Sequence, residues 1–178
     1  MSRLKVPLSP RDHVLGSRDA VVELVEYGDY QCPHCAMAHP ITKLLIQHFG
    51  DDLAFAYRHF PMTEIHPVAG RAAETAEFAG ARDRFWEMHD AIFRNQYGLS
   101  IPLLFSLTSS IGLSQLELRD AFASGTYLPK IQGDFMTGVR SGVNGTPTFF
   151  INGQRHDGPY LFADMVAAIS QHMLADAR

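Results

Sequence analysis

The apolar run Val21-Val22-Glu23-Leu24-Val25-Glu26-Tyr27 ends just before Cys32-Pro33-His34-Cys35, and a helical pattern of apolar residues begins directly behind it. This junction restricts the chain more than any other feature, because its two thiols are the only cysteines among 178 residues. The start of a helix leaves N–H groups without partners and carries the positive end of the helix dipole, so it is a favourable place to hold a thiolate. The pattern puts Cys32 at the N-cap and Pro33 at the first helical position, where a missing N–H costs nothing. The dipole is worth about 0.3–2 kcal/mol, or at most about 1.5 pKa units. A deeper depression of Cys32 needs direct donors, and the candidates are the backbone N–H and S–H of Cys35 and a protonated His34. Donors that stabilise the thiolate favour the dithiol over the disulfide, which makes the couple more oxidising. Cys32 is therefore read as the attacking sulfur, Cys35 as the sulfur that resolves the mixed disulfide, and His34 as the group that tunes them.

Composition narrows the alternatives. With 46% hydrophobic and 19% charged residues the chain has material for one globular domain, spanning 1–178. A net charge of −4 offers no basic field for nucleic acid, and no apolar stretch reaches the length of a membrane span. No apolar segment follows the cations of Met1-Ser2-Arg3-Leu4-Lys5, so a cytoplasmic location is expected if Met1 is the natural start. A trimmed leader would make the protein periplasmic or secreted. In a reducing cytosol two cysteines are more plausibly reactive or metal-binding than a structural disulfide.

Along the chain, Ala20 to Tyr27 has too little alternation for a solvent-facing strand and predicts a central one covered on both faces. Met37, Ile41, Leu44, Leu45 and Phe49 recur at helical spacing, with Pro40 expected to kink that helix and Gly50 to close it. A second strand over Leu53 to Phe60 completes a βαβ unit with parallel strands. Helices follow at His66–Ala79, Arg82–Gln96, Pro102–Ile111, Ser114–Ser124 and Leu128–Ser141. Ser114 with Glu117 forms a capping-box pattern, and Ala72, Ala76 and Ala79 offer a small-residue packing face. Thr148 to Ile151 returns to strand, Asn152-Gly153 signals a two-residue hairpin into Gln154-Arg155-His156, and Leu161 to Leu174 closes with Phe162, Met165, Val166 and Ile169 on one helical face.

In this order of elements the chain resembles the thioredoxin superfamily, and within it the DsbA-like thiol-disulfide oxidoreductases. The resemblance lies in Glu26-Tyr27-Gly28-Asp29-Tyr30-Gln31-Cys32-Pro33-His34-Cys35, in Tyr57-Arg58-His59-Phe60-Pro61, and in Gly145-Thr146-Pro147-Thr148-Phe149-Phe150. It implies an α/β thioredoxin fold, a central mixed β-sheet flanked by helices, with a helical insertion subdomain over about 63–142. It further implies a cis-proline at Pro147, opposite the cysteines, with Thr146 and Pro147 lying alongside substrate. Thr146 is a departure, because DsbA has an apolar residue there while other members of the superfamily have Thr. Glu26 stands where the superfamily has a buried acid that moves protons to and from the resolving thiol. The activity implied is exchange with cysteine-containing polypeptides, without a bound cofactor and without a metal, by a monomer whose cysteine pair a redox partner recycles.

Competing readings remain at this level. Two thiolates with His34, His39 or His48 would suit tetrahedral zinc, although no second Cys-X-X-Cys and no tight His pair accompanies them, His59 and His66 being only loosely close. Pro147 reads otherwise as an ordinary loop proline. Glu26 reads otherwise as a partly solvated strand carboxylate paired with Arg58. Phe85, Trp86 and Phe93 suit the core better than a substrate groove. For the whole chain, a cytosolic reductase of small disulfides and a non-catalytic thioredoxin-like module binding metal or protein are the alternatives to exchange on proteins.

Overall fold

The computed structural model describes residues 2–176; Met1, on which the location expectation turns, and 177–178 lie outside the described residues. The chain runs β1 (His13–Leu15), β2 (Val22–Gly28), α1 (Pro33–Phe49), β3 (Leu53–His59), α2 (Ala69–Gly80), α3 (Phe85–Arg94), α4 (Ile101–Ser110), α5 (Gln115–Ser124), α6 (Leu128–Arg140), β4 (Thr148–Ile151), β5 (Gln154–His156) and α7 (Phe162–Asp176). The strands form one mixed sheet in the order β1-β3-β2-β4-β5. β2 is central, parallel to β3 with Glu26 opposite Tyr57 and Gly28 opposite His59, and antiparallel to β4 with Glu26 opposite Phe149. Burial on both faces explains why its sequence hardly alternates.

The two faces have different covers. Leu24, Phe55, Tyr57 and Phe149 face a core shared with α1, α2, α3 and α7, to which Leu45, Ala72, Ala76, Met88, Ile92, Met165 and Ile169 contribute. Val25, Tyr27, Ala56, Phe60 and Phe150 form the opposite core. There α6 lies close, with Phe135 stacked on Phe60 at 4.3 Å between ring centroids. Gly138 permits that approach, since a Cβ on it would sit 2.8 Å from the Phe60 ring.

Several expectations need correction. α1 is a helix and continues through Pro40, but Met37 and Leu44 are exposed, while Cys35, Ala38, His39, Thr42 and Leu45 are its buried residues. Small and polar side chains take the inner positions because His39 stacks on Phe93 of α3 and binds Asp90, contacts that apolar spacing does not encode. α2 begins at Ala69 rather than His66, and α3 covers Phe85–Arg94 rather than Arg82–Gln96. β1, antiparallel to β3, has no counterpart in the expected elements.

Arg58 does not pair with Glu26. It points to the other face, where Nε and Nη2 donate to Asp12 at 2.7 and 3.0 Å, and Nη1 and Nη2 donate to the carbonyls of Val6 and Pro7. Nη1 also donates to the Tyr27 hydroxyl. Strand alternation puts neighbouring residues on opposite faces, which separates Arg58 from Tyr57 and hence from Glu26. The guanidinium thereby fastens the segment from Val6 to Asp12 across the sheet. Asp12 is held below the usual carboxylate range, because its hydrogen bonds and ion pair with Arg58 outweigh the upward push of burial.

Candidate active site

Cys32 caps α1 in an extended conformation and Pro33 opens the helix. As a thiol Cys32 makes no N-cap hydrogen bond, and its sulfur turns to the Thr146 carbonyl instead. The turn before it is tied down by side chains. Asp29 accepts from the backbone N–H groups of Gln31 and Met62 and bonds His66 at 2.8 Å. The side-chain amide of Gln96 donates to the carbonyls of both Tyr30 and Cys32, each at 2.8 Å. These bonds hold the sulfur's position without occupying it.

The Thr146–Pro147 peptide is cis, and the Cys32 thiol donates to the Thr146 carbonyl at 3.3 Å. Residues 114 apart in sequence therefore meet at one sulfur. The Thr146 hydroxyl is buried and unpartnered in this arrangement, leaving it available as a donor once the sulfur loses its proton. Pro147 leads directly into β4, whose antiparallel pairing with β2 carries this loop to the cysteines.

Both cysteines are buried, Cys32 at 4% exposure and Cys35 completely. The Cys32 thiol is pushed down to about 5, chiefly by the side chain of Cys35, against the upward push of burial, with help from Thr146 and from the backbone N–H groups of Cys35 and His34. His34 thus acts on the sulfur through its backbone, and its ring bonds the hydroxyl of Tyr160 at 3.2 Å. Cys35 moves the opposite way, well above the usual thiol range, because burial, the Cys32 sulfur and the Glu26 charge all disfavour its anion. Its sulfur accepts from the backbone N–H of Asp29 at 3.4 Å. Such a pair divides the labour of exchange: an anion at the helix start that attacks at neutral pH, and a protonated neighbour that reacts only after a base takes its proton.

Glu26 supplies a carboxyl in the right place. It is 2% exposed, its Oε1 has no partner, and burial, with the Cys32 charge second, raises its pKa to about 8. A group titrating there exchanges protons near neutral pH. Sequence reasoning missed Asp29 and Gln96, which position the turn, and Tyr160, which bonds the His34 ring. Only Asp29 had a local signal, as an acid two residues before Gln31 in a turn; the others arrive from distant segments. Among the described residues no three His, Cys, Asp or Glu side chains are grouped to hold a metal ion. His34 instead bonds Tyr160 and His39 bonds Asp90.

The family model described as thioredoxin matches residues 8–171. Among solved structures, the chain is similar to oxidised BdbD from Bacillus subtilis, with a TM-score of 0.86, 22% identity and coverage of 97% of this chain and 98% of that one. It is also similar to alpha-DsbA1 from Wolbachia pipientis, with a TM-score of 0.84, 20% identity and coverage of 98% and 96%. For the catalytic domain of ScsC from Proteus mirabilis the TM-score is 0.81 at 19% identity, covering 93% and 91%. At these identities the shared property is the fold, a thioredoxin fold of the DsbA-like kind. Curated relatives are nearer in sequence and different in name. The Na(+)/H(+) antiporter NhaA 1 of Salinispora arenicola is 40% identical over 168 residues, which are 94% of this chain and 26% of the antiporter. That of Mycobacterium sp. (strain KMS) is 37% identical over 166 residues, 92% of this chain and 27% of the antiporter. The chain spans about a quarter of the length of the curated relatives it matches.

Proposed function

We propose, starting from the fact that this chain belongs to the thioredoxin family, that it is a thiol-disulfide oxidoreductase exchanging disulfides with cysteine-containing polypeptides through Cys32 and Cys35. The observation that carries this reading is the Cys32 sulfur at the start of α1, pushed down to about 5 and facing the Thr146 carbonyl, beside a fully buried partner thiol. In the reducing direction the Cys32 thiolate attacks a substrate disulfide, forms a mixed disulfide and releases the first substrate sulfur. The Cys35 thiolate then attacks Cys32, closing the Cys32–Cys35 bond and releasing the second substrate sulfur with its electron pair. Glu26 takes the Cys35 proton before that attack and returns it in the reverse reaction. Thr146 and Pro147 border the attacked sulfur, where a substrate chain can pair with the Thr146 backbone as an added strand. Pro33 sets the helix start, and His34 contributes its N–H to the thiolate.

A redox partner must restore the cysteine pair after each turnover, and its potential, with that of the compartment, sets the net direction. A cytoplasmic location is part of this proposal, with a periplasmic or secreted one as its alternative. The antiporter relatives favour a second reading, in which such a domain serves a membrane transport protein. Among the described residues no helix is long and apolar enough to cross a membrane, so transport would fall to other parts of such a protein.

Reduction of insulin by dithiothreitol tests the exchange activity. The wild-type protein should accelerate it and Cys32→Ser should run at the uncatalysed rate, while Cys35→Ser should accumulate a mixed disulfide. A wild-type rate equal to background would refute the proposal.

A further inference from the structure

The imidazole of His34 is the charge-bearing side chain nearest the attacking sulfur in sequence, yet only the backbone N–H of that residue helps to depress Cys32. The ring itself is exposed, and its Nδ1 is bonded to the hydroxyl of Tyr160 at 3.2 Å, across 126 positions of sequence. That bond occupies Nδ1 whichever partner gives the proton.

Tyr160 is held in place from several sides. It lies in the short connection between β5 and α7, where His156 Nε2 donates to the Pro159 carbonyl at 2.9 Å and Arg155 pairs with Asp157 at 2.9 Å. Gly158 lets this connection turn tightly, since a Cβ on it would meet the His156 ring at 2.9 Å. The half-buried Tyr160 ring packs against the main core, 6.1 Å from the ring of Phe149, and Phe149 lies opposite Glu26 on the central strand. A ring fixed from behind in this way carries its hydroxyl to a defined place at the start of α1. Burial, with the charges of Cys35, Cys32 and Glu26 adding to it, holds the phenol above its usual range, so it stays neutral beside a thiolate.

We propose that Tyr160 is a positioning residue that holds the His34 ring away from the Cys32 sulfur and thereby limits how oxidising the cysteine pair is. The inference rests on the exchange function above and adds a residue that sets its redox poise. A ring nitrogen that carries hydrogen donates well to a thiolate, more strongly still when the imidazole is protonated. Residue 34 follows the sulfur by two positions at the helix start, so an unrestrained ring can turn about its side-chain bonds towards the anion. In the native arrangement that rotation breaks the bond to Tyr160. The thiolate gains from such a donor and the disulfide does not, so a ring released from Tyr160 shifts the couple towards the dithiol.

Equilibration with glutathione reads the effect. The bond between Cys32 and Cys35 breaks and one forms between two glutathione sulfurs, so two electrons pass to the protein. Of the two protons given up by glutathione, one goes to Cys35 and the other, at neutral pH, to water, because Cys32 stays a thiolate. Tyr160→Phe keeps the packing on Phe149 and removes only the hydroxyl. It should raise the equilibrium constant for reduction about threefold, the size of a modest net hydrogen bond, and lower the Cys32 pKa in an absorbance titration. In a His34→Ala background the same substitution should change neither quantity, because no ring is left to release. A change of less than twofold for Tyr160→Phe alone overturns the proposal, as does a shift towards the disulfide. An equal shift in the His34→Ala background overturns it as well, because the effect would then lie in the connection and not in the ring. A wild-type protein whose cysteines do not exchange with glutathione at any ratio of thiol to disulfide would refute the exchange function itself, a different result.

Discussion

Acidification should remove a large part of the advantage that the reduced protein holds over the oxidised one. Cys32 stands at about 5 in the folded protein against an ordinary value of 9.0, a difference of 9 − 5 = 4 pKa units. A depressed acid contributes stability that is fully present above the unfolded pKa and lost as pH falls through the folded one. The window is therefore about 9 down to about 5, and within it the reduced form gains about 1.4 kcal/mol per pH unit relative to the oxidised form, which has no thiol there to titrate. Between pH 5 and 7 the gap should widen by about 3 kcal/mol. Glu26 modifies this little, since burial, the larger cause of its shift, acts in both redox forms and only the smaller push from the Cys32 charge is confined to one. The loop-closing contribution of the disulfide is independent of pH and drops out of the slope. Urea denaturation of both forms across pH from about 4 to 8, with the slope m compared at each pH, measures the gap directly. A gap that stays flat between pH 5 and 8 would show that the Cys32 sulfur ionises like a free thiol, and the account of exchange given above would fall with it.

Replacing Glu26 by Leu should stabilise the reduced protein at pH 7, because an acid raised from 4.5 to about 8 costs folding about 3 kcal/mol there and nothing below pH 4.5; denaturation at both pH values checks it, and a gain that persists at low pH would assign the effect to packing. The same variant should slow resolution by Cys35, read as the second thionitrobenzoate released when reduced protein meets 5,5′-dithiobis(2-nitrobenzoate), as it removes the base for that thiol. Arg58→Met should cost about 3–5 kcal/mol by leaving Asp12 buried without its cation, and Asp12→Asn in the same chain should recover part of that loss in thermal unfolding. Gly28→Ala must displace the Tyr57 ring, which its Cβ would meet at 2.4 Å, with a stability loss of about 1–3 kcal/mol in urea denaturation. Thr146→Val should raise the Cys32 pKa in an absorbance titration by removing the hydroxyl that favours the thiolate, while an unchanged titration would limit Thr146 to its carbonyl contact.

Local chemistry determined a good deal of this protein before any tertiary contact was considered. A strand without alternation, a Cys-Pro step suited to begin a helix, an Asn-Gly hairpin and Ser114 capping Glu117 are each short-range facts, and β2, α1, the β4–β5 hairpin and the start of α5 stand where those residues favour them. The position of the two cysteines at the N-terminus of α1 was legible for the same reason. Tertiary structure alone decided which side of α1 is inside, because apolar spacing marks a helix but Met37 and Leu44 face solvent while His39 turns inward to Phe93 and Asp90. It alone separated Arg58 from Glu26, a matter of strand alternation and of an N-terminal segment folding back to bring Asp12. It also gathered Thr146, Gln96 and Tyr160 around one turn. No local pattern announces such groups, since a hydroxyl, an amide or a phenol acquires a role only from what the closed sheet and its helices bring against it, and the free energy of a buried thiolate depends on those few ångströms.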